Sequence, residues 1–97
     1  MIKCYKFFAD WCGPCHFMTP IFEEVQNDPQ FNTVNFSEID IDDPENTTLV
    51  KNLQIRNIPT FVLMHENQVI ARHSGTCTKD DLNKWLKNGL ELCQDML

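Results

Sequence analysis

The chain is short of basic residues, of glycine and of long apolar runs, and each shortage removes a class of function. Eight Lys and Arg stand against fourteen Asp and Glu in 97 residues, for a formal charge of −6. The basic residues are scattered, so no patch offers the counterion release that holds a protein on a phosphate backbone. An acidic surface is also repelled by anionic lipid. Nucleic-acid binding and membrane binding are therefore not expected, and protein partners are. No apolar run approaches the ~20 residues that span a bilayer. In Met1-Ile2-Lys3-Cys4-Tyr5-Lys6-Phe7-Phe8 the second lysine interrupts the stretch before a secretory core can form, and no small-residue cleavage site follows. No export leader is expected, and the expected compartment is the cytoplasm. Three glycines and five prolines leave no linker, repeat or low-complexity tract. At 42% hydrophobic and 23% charged residues, disorder and collagen-like classes are excluded. The length suits one domain, 1–97, with one core of modest size.

Cysteine is present in an odd number, five. A secreted disulfide scaffold favours an even count, so a reducing compartment fits better, with a transient catalytic disulfide.

The hydrophobic pattern predicts a strand over Ile2–Phe8. A helical face follows, with Met18, Ile21, Phe22 and Val25 at the i, i+3, i+4, i+7 spacing. Pro20 inside that face predicts a kink, and Asn27-Asp28-Pro29 ends it. A second strand, Val34–Asp40, places Val34, Phe36 and Glu38 on one side. Asp42-Asp43-Pro44 opens a short helix to about Leu53. Thr60–His65 is an apolar strand, Glu66-Asn67 a hairpin turn in which Asn67 is able to take positive φ, and Val69–His73 the antiparallel return. Thr78 is read as the N-cap of a last helix, with Asp81 in the place of the usual capping-box Glu. That helix is expected to bury Leu82, Trp85 and Leu86, with Gly89 ending or weakening it. The order βαβαββα gives an α/β fold: a right-handed crossover, a hairpin, and a four-stranded mixed sheet with helices on both faces.

Cys12-Gly13-Pro14-Cys15 lies between the first strand and the first helix. In that context a Cys-X-X-Cys is a redox motif. The unpaired N–H groups and dipole of the helix N-terminus favour an anion, lower the thiol pKa of Cys12 and raise its thiolate fraction. The thiolate is the species that attacks a disulfide. Cys12 is thus the nucleophile that forms a mixed disulfide. Cys15, one turn inside the helix, resolves it. Pro14 suits an early helical position, and Trp11 offers an apolar flank. A zinc half-site is set aside because Cys4, Cys77 and Cys93 lack paired spacing. Haem attachment through Cys12-Gly13-Pro14-Cys15-His16 rests on a motif that is weak alone, and two strongly apolar strands oppose a haem-wrapping helical fold. Inert core cysteines do not suit a Gly-Pro turn beside an exposed tryptophan. No metal site and no cofactor are expected.

Trp11-Cys12-Gly13-Pro14-Cys15 resembles the thioredoxin active site, a well-known Cys-X-X-Cys of lowered pKa. Ile58-Pro59-Thr60 resembles that family's second signature, in which the proline bond is cis. Pro20 resembles its helix-kinking proline, and Gly75 the glycine beside its substrate groove. The resemblance runs from about Phe7 to Leu90. It implies a thioredoxin-like fold and a protein-disulfide reductase with electron transport from a thioredoxin reductase. A substrate groove would be formed by Trp11, Ile58, Pro59 and Gly75, where the backbone beside the cis bond pairs with an extended segment of a disulfide-containing protein. A glutathione-coupled, glutaredoxin-like reductase is the alternative within the same chemistry. A thioredoxin-like binding subunit with dispensable cysteines is the alternative outside it.

Two departures stand out. The chain has no room for the strand and helix that full-length thioredoxins carry ahead of the active-site strand, so Val34–Asp40 becomes a sheet edge open to pairing; a monomer is the expected state. The family also buries an aspartate six residues before the first active-site cysteine, paired with a lysine on the neighbouring strand. Here those positions are Lys6 and Glu38, a reversed pair on one sheet face. Glu38 is expected to accept the proton of Cys15, through water, and Lys6 to stabilise thiolates, which makes the disulfide a stronger oxidant. His16 either tunes the site near neutral pH or is a plain surface histidine. Asp40, Asp42, Asp43 and Glu45 read as a solvated turn with helix caps. Cys4, Cys77 and Cys93 read as structural or incidental, with an exposed thiol as the alternative for Cys93, which lies beyond the matched region.

Overall fold

The computed structural model describes residues 1–95. Its strands are β1 (Ile2–Phe8), β2 (Val34–Asp40), β3 (Thr60–His65) and β4 (Gln68–Ser74); its α-helices are α1 (Gly13–Gln26), α2 (Thr47–Asn52) and α3 (Lys79–Asp95). The sheet order is β2-β1-β3-β4. β1 and β2 are parallel, and β3 is antiparallel to both β1 and β4. β2 is therefore an edge, and the apolar strands β1 and β3 lie at the centre. This is the mixed four-stranded α/β sheet expected from the order of elements.

The centre of β3 explains why both faces must be covered. Phe61 and Leu63 point to one side and Val62 to the other, and all three are fully buried. Phe61 and Leu63 join Cys4, Met18, Phe22, Leu82 and Leu86 in one cluster, so α1 and α3 cover that side. Each large side chain buried there contributes about 1.5–3 kcal/mol. On the other side Arg72, the register partner of Val62, donates to the carbonyls of Leu53 and Gln54 just past α2. That contact places the end of α2 over the second face.

The local signals held at several ends and failed at others. Thr78 Oγ1 accepts from the Asp81 N–H at 3.1 Å, the N-cap bond its sequence position predicts. Asp43 caps a short 3-10 turn, Pro44–Asn46, that precedes α2. In the hairpin the left-handed residue is Glu66, φ 55°, not Asn67. A bulge between Leu63 and Met64 shifts the register there. Trp85 is half-buried rather than buried. Cys93 is buried, 1% exposed, because α3 runs on through Asp95 and keeps that face against the core. Gly89 does not end α3. It lies inside the helix, where a Cβ would overlap Leu63 Cδ2, so the glycine permits a close helix–strand approach.

Candidate active site

β1 delivers the chain into a tight turn held by the Cys12 N–H donating to the Ala9 carbonyl at 3.1 Å. α1 begins at Gly13, with Cys12 as its N-cap residue and Pro14 in the first turn. The Cys15 N–H donates to Cys12 Sγ at 3.2 Å. The sulfur thus occupies the position where a capping oxygen normally sits, against an N–H with no partner in the helix. The same N–H and the helix dipole favour negative charge on that sulfur. Cys12 and Cys15, with Cα atoms 5.3 Å apart, are joined as a disulfide. The pair packs with Ala9, Phe8, Ile41 and Ile58.

The Ile58–Pro59 peptide is cis, and the Ile58 carbonyl oxygen lies 4.0 Å from Cys12 Sγ. Pro59 is buried and Ile58 half-buried. The Gly75 N–H donates to the Pro59 carbonyl at 2.8 Å, with Gly75 at φ 90°, a conformation that favours glycine. The loop is underpinned by Thr60, which donates to the Asn57 carbonyl at 2.6 Å and meets Ser74 Oγ at 3.1 Å. Trp11 is 70% exposed, and its Nε1–H donates to Asp42 Oδ2 at 2.8 Å. The structure thus gathers Cys12, Ile58 and Pro59 at one point. Gly75 is tied to them through Pro59, and Trp11 stands beside the pair in sequence.

Lys6 and Glu38 are register partners across β1 and β2, but they are not equally buried: Lys6 is 1% exposed and Glu38 38%, with 3.9 Å between Nζ and Oε1. Glu38 makes no bond to either cysteine among the described residues. What reaches Cys15 is Lys6, which donates to Thr19 Oγ1 at 2.8 Å, while that hydroxyl donates to the Cys15 carbonyl at 3.2 Å. Thr19 was not singled out by the sequence; it lies one helical turn past Cys15, the only available signal. Burial lowers the Lys6 pKa, and the carboxylates of Glu38 and Glu23 oppose that shift.

His16 Nε2 donates to the Asp10 carbonyl at 2.6 Å, bridging the turn that carries the motif, so its side chain is not idle on the surface. Asp42 is more than a solvated turn residue, since it holds the Trp11 indole. Among the remaining cysteines, burial pushes the Cys4 thiol up to about 12, and burial with the nearby Asp81 raises Cys77. Neither is poised to react. Among the described residues no group of three or more His, Cys, Asp and Glu is arranged to hold a metal ion, and no helix is long and apolar enough to cross a membrane.

This geometry has close counterparts. The thioredoxin family model matches residues 3–88. Thioredoxin H5 of Arabidopsis thaliana is 37% identical over 84 residues, which is 86% of this chain and 67% of that protein. Thioredoxin C-3 of Corynebacterium nephridii is 37% identical over 84 residues, 87% of this chain but only 55% of that protein. The chain is therefore shorter than both relatives. The crystal structure of Malassezia sympodialis thioredoxin superposes with a TM-score of 0.79 at 27% identity, covering 91% of this chain and 75% of the other. A redox pair at the start of α1, matched by a family model over most of its length, places this chain in the thioredoxin family of thiol–disulfide oxidoreductases.

Proposed function

We propose that this protein reduces disulfides in other proteins by dithiol exchange, with Cys12 attacking and Cys15 resolving. The Cys12 thiolate attacks one sulfur of the substrate disulfide and releases the other as a thiolate. Cys15 then attacks Cys12, freeing the second substrate thiol and closing the Cys12–Cys15 bond. A dithiol donor of the thioredoxin reductase type returns two electrons and two protons. The observation that carries this reading is the placement of Cys12 Sγ as the N-cap atom of α1, 4.0 Å from the Ile58 carbonyl. There the helix terminus favours negative charge on the sulfur, and a backbone acceptor lies beside it. An extended substrate segment would pair with the backbone at Ile58, held by Pro59 and Gly75, with Trp11 as an apolar flank. The acidic chain, with its scattered basic residues, fits protein substrates rather than nucleic acid. We read it as a monomer of the cytoplasm, where the thiols stay reduced.

The test is turnover on a disulfide-bonded protein with thioredoxin reductase, or with glutathione, as the sole electron source. Cys12→Ser should abolish turnover. Cys15→Ser should accumulate a mixed disulfide through Cys12, visible by mass spectrometry. Turnover with the reductase and none with glutathione supports the reductase-coupled form; the reverse makes the enzyme glutaredoxin-like. Full biological activity in the Cys12→Ser, Cys15→Ser double variant would overturn the catalytic reading in favour of a binding module.

A further inference from the structure

Among the described residues Lys6 is the one charged side chain that is buried. An ammonium taken out of water is costly unless it is paired and hydrogen-bonded. Its surroundings can be named element by element. From α1, Thr19 accepts its hydrogen bond and Glu23 adds a more distant negative charge. From β2 comes the Glu38 carboxylate, 3.9 Å away and 38% exposed, so solvent screens much of that attraction. From β3 the register partner is Phe61, which is uncharged. On β1 itself the Phe8 ring centroid lies 5.6 Å from Nζ. The short contact is the one towards α1, and it leads through the Thr19 hydroxyl to the backbone of Cys15.

We propose that Lys6 is the positioning cation of the redox pair, a charge held under the first turns of α1 that favours the reduced, anionic site over the disulfide. The inference deepens the dithiol reading and rests on it for the role of the Cys12–Cys15 pair. Reduction breaks the Cys12–Cys15 bond as a dithiol donor gives up two electrons and two protons and itself becomes a disulfide. The two protein sulfurs keep both protons, one or neither, according to their pKa. The disulfide is neutral and gains nothing from a buried cation. Each sulfur left as a thiolate gains an attractive interaction. Burial already pulls the Lys6 pKa down; a thiolate pulls it back up, and by linkage Lys6 pulls the thiol pKa down by the same free energy. Stabilising the reduced form raises the reduction potential. An ammonium attracts a thiolate and has no lone pair with which to accept its proton. Deprotonation is therefore promoted by charge rather than by a base.

The test reads the Cys12–Cys15 pair itself, equilibrated against glutathione with no substrate protein or reductase, so failure of the reductase activity and failure of this role are separate results. The wild-type, Lys6→Met, Lys6→Arg and Thr19→Val proteins are compared on both sides of neutral pH, with thiolate absorbance followed in parallel. Lys6→Met should move the equilibrium constant about tenfold towards the disulfide, a potential about 30 mV lower, with the difference widening as pH rises and thiolate fills. The thiolate transitions should move up by about one unit. Lys6→Arg, which keeps the charge, should restore most of the difference, which a packing effect of the methionine would not. An equilibrium constant and thiolate titration unchanged in Lys6→Met at every pH would overturn the proposal. Should Lys6→Met fail to fold, Thr19→Val carries the test: a smaller shift in the same direction supports the role, and an unchanged constant overturns it.

Discussion

Replacing Gly89 by alanine sets two effects of known sign against each other. Alanine is favoured over glycine by about 1 kcal/mol inside a helix, and Gly89 lies well within α3 (Lys79–Asp95). On propensity alone Gly89→Ala stabilises the fold. The structure opposes that, because the new Cβ would overlap Leu63 Cδ2, and Leu63 is fully buried in the central strand. Overpacking of this kind costs about 1–3 kcal/mol. The net expectation is a loss of about 1 kcal/mol, a fall of about 4–8 °C in Tm for a domain of this size. Urea unfolding followed by circular dichroism measures it. A double-mutant cycle with Leu63→Ala isolates the cause. Leu63→Ala alone should cost about 2–5 kcal/mol, but it removes the atom that Gly89→Ala would strike. The pair should then be less destabilised than the sum of the singles by about 1–3 kcal/mol. A Gly89→Ala protein more stable than wild type, with strictly additive single effects, would refute the close approach as the reason for this glycine.

Thr60→Val removes a buried hydroxyl that donates to the Asn57 carbonyl at 2.6 Å while keeping the side-chain shape; the expected loss is about 1–3 kcal/mol by urea unfolding, and an unchanged midpoint would show that the cis-proline loop does not depend on that bond. Burial holds the Cys4 thiol at about 12 against an ordinary 9.0, so the unfolded chain ionises first. Its contribution to stability is full below the ordinary value and is lost as pH rises through that window. Cys4→Ala should flatten the alkaline decline in stability, and native reduced protein treated with iodoacetamide at neutral pH should be labelled at Cys12 and not at Cys4.

Where the sequence could be read, the signal was local or periodic. The Cys12–Cys15 motif, the Thr78 cap and the alternation of β3 each depend on residues within a turn or a strand of one another. Even the facing of Lys6 and Glu38 followed from strand parity and neighbouring parallel strands. The misses concern choices between residues of nearly equal aptitude, or partners brought from far away. Glu66 rather than Asn67 takes the left-handed position, which hairpin register decides and propensity does not. Cys93, left open in sequence between an incidental and an exposed thiol, is turned inward by a helix that runs past Gly89.

The candidate site divides along the same line. The order of residues alone marked the Cys12–Cys15 pair and the strand–helix junction that carries it, because a helix terminus acts over a single turn. Only the tertiary structure decided which groups surround them. It set the Ile58 carbonyl beside Cys12, Asp42 on the Trp11 indole, and Thr19 between Lys6 and Cys15. It also buried the lysine while leaving its glutamate partner partly in water. Burial and hydrogen-bond partnership are properties of what packs from elsewhere in the chain, and no spacing along the chain encodes them.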